Sequence, residues 1–179
     1  VRAYTPEVQR DLLAVYLASL PSGIRPLPLL GAYGDKGGGK SILTKAIMRT
    51  LLGPTAEPVT LSEDRRDFWT LITSGPVIAL DNVDADSVPW LADQLAAAVT
   101  GVNIEKRELY SDNNKISRPV TAAIAISTRT MSFARPDVAE RTLPLVTSEF
   151  ADSKREADSD LLAQVDAARD GLMTWCALK

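Results

Sequence analysis

The chain has 179 residues, 45% of them hydrophobic and 24% charged, enough for one domain with its own core and ordinary for a folded globular protein. Its net charge of −3 gives no overall basic footprint for nucleic acid, though it leaves open a local basic loop or a pore built by oligomerisation. One cysteine and no histidine exclude an internal disulfide and argue against a zinc site.

In chain order, Thr5-Pro6-Glu7 marks a helix start, with Thr5 as N-cap and Pro6 at the first helical position. That helix is predicted to run through Leu12, Leu13, Tyr16, Leu17 and Leu20 and to end before Pro21-Ser22-Gly23. Leu27 to Tyr33 is a short apolar run, read as a buried strand. A glycine-rich loop follows, and Ser41 to Leu52 then carries apolar residues at helical spacing until Gly53-Pro54 stops it. Glu57 to Leu61 reads as a short strand. Ser62-Glu63-Asp64 opens a helix whose apolar side is Phe68, Trp69, Leu71 and Ile72, broken by Gly75-Pro76. Val77-Ile78-Ala79-Leu80-Asp81 is a continuous apolar run ending in a carboxylate, the pattern of a buried parallel strand. Val88 to Val99 is predicted as a helix closed by Gly101.

The next stretch changes character. Ile104 to Tyr110 and Lys115 to Val120 are extended segments around Ser111-Asp112-Asn113-Asn114, which is strong turn chemistry. They predict a hairpin over 104–120 with Lys106, Arg107, Lys115 and Arg118 around it. Pro119 to Thr128 reads as a further buried strand with polar residues at its C-terminal end, Arg135 to Arg141 as a short helix, and Leu143 to Val146 as a strand. Ser153 to Leu178 is mostly helical, with Leu161, Leu162, Val165, Leu172 and Trp175 apolar, and Cys176 reads as a packed thiol. The alternation of strands and helices implies an α/β sandwich with a mainly parallel five-stranded sheet. No apolar run approaches the ~20 residues of a membrane span and no signal peptide is visible. A cytoplasmic setting, bacterial or phage-encoded, is expected. The first residue is Val rather than Met, as in a fragment of a longer protein.

Two motifs carry chemistry. Gly34-Asp35-Lys36-Gly37-Gly38-Gly39-Lys40-Ser41 fits Gly-x-x-x-x-Gly-Lys-Ser/Thr, the phosphate-binding P-loop, at every fixed position. Glycines let several backbone N–H groups converge on one phosphate. Lys40 can reach the β- and γ-phosphates of ATP, the Ser41 hydroxyl can ligate Mg²⁺, and Ile42 continues the loop into its helix. A strand before and a helix after set the helix N-terminus at the phosphates. The second motif is Val77 to Asp84. An apolar strand delivering Asp81 at its C-terminal end, 40 residues after Ser41, is the Walker B pattern, with Asp81 holding Mg²⁺ directly or through water. The competing reading is an Asp that caps the next helix. Asn82 follows where many ATPases carry Glu. An amide can hold a water but cannot accept its proton, so the general base is open, with Asp84 and Asp86 as alternatives.

Taken with Trp90-Leu91, Leu95, Ala98-Val99-Thr100-Gly101, Arg107 to Tyr110, Arg118-Pro119-Val120 and Arg135 to Arg141, these motifs resemble the ATPase core of phage- and plasmid-type replicative helicases. Those are AAA+ proteins related to the superfamily-three and MCM helicases. The resemblance covers about residues 25–148. It implies a three-layer P-loop NTPase core over 1–150, with the hairpin at 104–120 and an arginine-finger region at 135–141. A minimal or truncated C-terminal helical lid would follow over 151–179. It further implies that Thr128, or Ser127 beside it, is the sensor-one residue near the γ-phosphate, where Asn is usual. Arg141, with Arg135 as second candidate, matches the arginine finger that reaches a neighbouring subunit's nucleotide. The hairpin resembles one that projects into the pore of a hexameric ring, with Arg107 and Lys115 gripping single-stranded or forked DNA. An ion-paired surface arginine and a solvated hairpin are the plain alternatives. The function implied is an ATP-hydrolysing helicase motor. The rivals are an initiator or helicase-loader switch that does not translocate, and a small-molecule kinase, for which the arginine-rich lid is missing.

Overall fold

The computed structural model describes residues 4–22, 24–83, 88–107, 115–129, 136–149 and 156–177. Helix α1 (Pro6–Ser19) starts at Thr5, whose hydroxyl oxygen accepts the Val8 N–H at 3.4 Å, the expected N-cap. Strand β1 (Leu29–Tyr33) leads through loop 34–41 into α2 (Lys40–Leu52). Strand β2 (Val59–Thr60), α3 (Arg65–Ile72), β3 (Val77–Asp81) and α4 (Leu91–Thr100) follow. Strands β4 (Asn103–Arg107) and β5 (Lys115–Pro119) come next, then β6 (Ala123–Thr128), α5 (Pro136–Ala139), β7 (Thr142–Val146) and α6 (Asp158–Ala177).

Five strands form one sheet in the order β2-β3-β6-β1-β7, and every neighbouring pair is parallel. The period of two along each strand sorts its residues onto two faces. Leu29, Ile78, Leu80, Ile124 and Ile126 meet Phe68 and Ile72 of α3, Leu91 and Leu95 of α4 and Val138 of α5. Leu30, Val77, Ala79, Ala123 and Ala125 meet Tyr16 of α1 and Ile47 and Met48 of α2. The second face is floored by alanines, and their small side chains let α2 lie close across β3 and β6. Helix α6 packs on α2 and α1 rather than on the strands, so this side is two helices deep. Cys176 is buried within α6, and burial pushes its thiol up from its ordinary value. Among the described residues no helix is long and apolar enough to cross a membrane.

An ion pair pins α6 to α2. Arg49 of α2 holds Asp166 of α6 at 3.1 Å and Glu57 at 3.3 Å, while Lys45 reaches Glu57 at 2.6 Å. Arg169 Nε donates back to the Arg49 carbonyl at 3.3 Å. Arg49 and Asp166 are only 17% and 29% exposed, so truncating one strands the other in a partly dry site. Asp166→Ala is expected to cost about 1–3 kcal/mol, read as a lower urea midpoint at unchanged slope.

Besides small shifts of strand ends, three elements depart from the sequence reading. Helix α4 begins at Leu91 rather than Val88, because Val88 to Trp90 make a turn in which the Leu91 N–H reaches the Val88 carbonyl at 3.0 Å. The single strand expected over 119–128 is two. Pro119 ends β5, the Val120 N–H turns to the Val102 carbonyl at 3.0 Å, and pairing in the main sheet resumes at Ala123, which bonds the Pro76 carbonyl at 2.9 Å. Helix α5 stops at Ala139, and Arg141 lies in the turn before β7 with its carbonyl taken by the Leu29 N–H at 2.8 Å. The β4–β5 hairpin is antiparallel, pairs Arg107 with Lys115, and forms its own two-stranded sheet. Its expected turn, 111–114, lies outside the described residues.

Candidate nucleotide-binding site

Strand β6 sits between β1 and β3. The C-terminal ends of these three strands therefore bring loop 34–41, Ser127 to Arg129, and Asp81-Asn82 side by side, at the edge where open α/β sheets bind ligands. A cavity of about 800 Å³ opens there. It is lined by Lys36, Gly37, Gly39, Lys40, Ser41 and Ile42 from the loop and α2, by Asn82, Ser127 and Arg129 from the strand ends, by Glu156 just before α6, and by Asp158 and Leu161 at its start.

The loop's shape follows from its glycines. Gly37 and Gly39 have φ of 84° and 75°, a region costly for any residue with a side chain. Gly39 is also the N-cap of α2, so the helix's leading N–H groups, which lack intrahelical partners, face the loop. Lys40 folds back across it: its ammonium donates to the Gly34 carbonyl at 2.7 Å and the Asp35 carbonyl at 2.6 Å. Gly34, Asp35 and Gly38 belong to the loop but are not among the cavity-lining residues.

On the opposite wall Ser127 is the hub. Its hydroxyl donates to Asp81 Oδ1 and accepts the Asn82 N–H at 2.8 Å, and its carbonyl accepts the Val83 N–H at 2.8 Å. Asp81 thus stands one hydrogen bond behind the cavity surface. Asn82 has φ of 50°, a left-handed conformation that Asn adopts more readily than most residues, and it reaches the cavity itself.

Of the two sensor candidates, Ser127 is the one at the cavity. Thr128, next on the strand, points to the other face and is 3% exposed. Arg141 lies at the N-terminal end of β7, where its neighbour in β1 is Leu29. The loop begins beyond Tyr33, so about 13 Å of strand separates Arg141 from the loop of its own chain. Arg107 and Lys115 stand opposite each other in the hairpin register. Asp84, Asp86 and Arg135 lie outside the described residues.

The sequence reading missed four wall residues. Arg129 directly follows the Ser-Thr pair, so its position after a strand end was a usable signal. Glu156, Asp158 and Leu161 had none, because only the packing of α6 on α2 brings them here. The walls are electrically unlike. Lys36, Lys40 and Arg129 are cationic, whereas the α6 side contributes two carboxylates, Asp158 in the helix and Glu156 just before it, with Glu156 Oε2 held by the Gln164 amide at 3.1 Å.

The fold is shared with solved structures, one of them a helicase. A JCV helicase with a bound small molecule superposes with a TM-score of 0.62 at 12% identity, over 97% of this chain and 56% of that one. The apo NrS-1 C-terminal region superposes with a TM-score of 0.63 at 12% identity, over 93% and 41%. The chain therefore spans about half the length of these structures. No curated protein sequence matches it. The family of actinomycete integrative conjugative element replication proteins matches residues 6–174, nearly the whole sequence, and the chain belongs to that family.

Proposed function

We propose that this chain is the ATP-hydrolysing AAA+ motor domain of a ring-forming replicative DNA helicase. The observation that carries the reading is the complete glycine-Lys-Ser loop at the start of α2, facing Ser127, Asn82 and Arg129 across one cavity. The triphosphate occupies the cationic side, along the loop amides, Lys40 and Arg129. Repulsion keeps it from Glu156 and Asp158, so the nucleoside lies toward α6. The oxygen donors Ser41 and Asp81 suit Mg²⁺, a hard cation. Bound Mg²⁺ would offset charge on the phosphates. Ser127 orients Asp81 and shares the wall with Asn82, which positions a water. Arg141, remote from its own loop, serves the site of the next subunit, and six such subunits close the ring. The β4–β5 hairpin stands outside the main sheet, and Arg107 and Lys115 on it grip DNA phosphates.

The test is ATP hydrolysis across a wide range of protein concentration, with and without single-stranded DNA. A rate per subunit that rises with concentration and again with DNA is expected. A slow, concentration-independent rate that ignores DNA rejects the motor. Asn82 favours one rival specifically, a nucleotide-dependent initiator or loader switch, because an amide cannot take the water's proton. Strand separation by the full-length protein rejects that rival.

Ser127 also separates from Thr128 by experiment. Removing a partner that orients a metal-binding carboxylate typically lowers activity about 10–100-fold. Ser127→Ala is expected to lower kcat by that much. Thr128→Val is expected to cost stability and spare kcat. The reverse order would return the sensor role to Thr128.

A further inference from the structure

We propose that Thr147 is a positioning residue that holds loop 34–41 in its phosphate-binding shape. This rests on the reading of that loop as a nucleotide site. Thr147 directly follows β7. Its N–H donates to the Tyr33 carbonyl at 2.7 Å, and its hydroxyl donates to the same carbonyl at 3.1 Å. Tyr33 is the last residue of β1 before the loop, so the loop's first limb is clamped where it leaves the sheet.

The loop's two limbs then close on this side chain. A Cβ at Gly34 would lie 2.2 Å from the Thr147 carbonyl oxygen and 2.6 Å from its Oγ1. A Cβ at Gly38 would lie 2.7 Å from the same Oγ1. Gly38 is the informative case. It occupies a variable position of the motif, and its φ lies outside the left-handed region. Neither phosphate chemistry nor backbone conformation requires glycine there, but the Thr147 hydroxyl does. The run Gly37-Gly38-Gly39 thus has two causes: φ at its ends and the approach of Thr147 at its middle. Thr147 is not among the cavity-lining residues, so it acts through the loop backbone and not on a ligand.

Titration of a fluorescent ATP analogue, with hydrolysis kinetics, tests this on the wild type and four variants. Thr147→Val keeps the shape and removes the hydroxyl. It is expected to weaken binding about three- to tenfold, the range for one hydrogen bond, through KM more than kcat. Thr147→Ser, which retains the hydroxyl, is expected to restore most of the affinity. Gly38→Ala is expected to weaken binding by crowding Oγ1. Gly38→Ala with Thr147→Ala is expected to bind better than Gly38→Ala alone, a coupling that general destabilisation would not produce. Wild-type binding with an unaffected Thr147→Val, or a double variant that binds no better than Gly38→Ala alone, overturns the role of Thr147 and leaves the nucleotide site standing. A wild type that binds no nucleotide overturns both.

Discussion

Lys40→Ala is expected to abolish ATP hydrolysis, lowering the rate by at least about 10²–10³, the loss typical when one preorganised donor to developing charge is removed. Two effects combine. The ammonium stands at the start of α2, where the helix dipole favours an anion, and bonds from it to phosphate oxygens would be charge-assisted and therefore strong. Lys40 also spans the loop, bonding the Gly34 and Asp35 carbonyls. Those contacts satisfy the ammonium, and under the proposed function a triphosphate would replace them, exchanging one set of oxygen acceptors for another. Alanine removes the phosphate contact and the cross-brace together, and triphosphate affinity falls with the rate. Phosphate release measures the first effect and analogue titration the second. Circular dichroism checks that the fold persists, as expected for a side chain outside both hydrophobic clusters. A Lys40→Ala protein that retained hydrolysis within a few-fold of wild type would remove loop 34–41 from the reaction.

How far the site could be read from sequence depended on whether each signal was local. The loop, its glycines and the helix after it are set within one short segment, and the structure carries them with α2 beginning at Lys40. Strands β1 and β3 are buried on both faces of a parallel sheet and so read as unbroken apolar runs. Hydrophobicity alone does not reveal which face of such a strand looks toward α2. That is why Ser127 and Thr128 stayed unresolved: both end the same apolar strand, and only the docking of α2 on the face of Ala123 and Ala125 gives the cavity to Ser127. The split of 119–128 was hidden for a related reason. In sequence Pro119 and Val120 read as extended, like β6, and only their partners assign them to the hairpin. Glu156 and Asp158 reach the cavity through the Arg49–Asp166 ion pair and the packing behind it, contacts between segments more than a hundred residues apart that leave no periodic trace.

The location of Arg141 leads to the sharpest expectation. Its carbonyl is tied to Leu29 at the N-terminal end of β1, whereas loop 34–41 begins at the other end of that strand. About 13 Å of strand lies between them, longer than an arginine side chain. If it acts on ATP, it acts on a neighbour's. Arg141→Ala is then expected to leave nucleotide binding largely intact while hydrolysis falls about 10³–10⁵-fold, the worth of an arginine supplied to phosphoryl transfer. Lys40→Ala and Arg141→Ala should also complement each other. Neither protein alone assembles a complete site. In a mixed ring, an Arg141→Ala subunit supplies an intact Lys40 and its Lys40→Ala neighbour supplies an intact Arg141, so a fraction of the interfaces regains both groups. Recovery of hydrolysis on mixing, increasing with total protein, is the expected result. Mixtures that remain as inactive as their components, beside a wild type whose rate per subunit ignores concentration, would make Arg141 an ordinary surface arginine and the site complete within one chain.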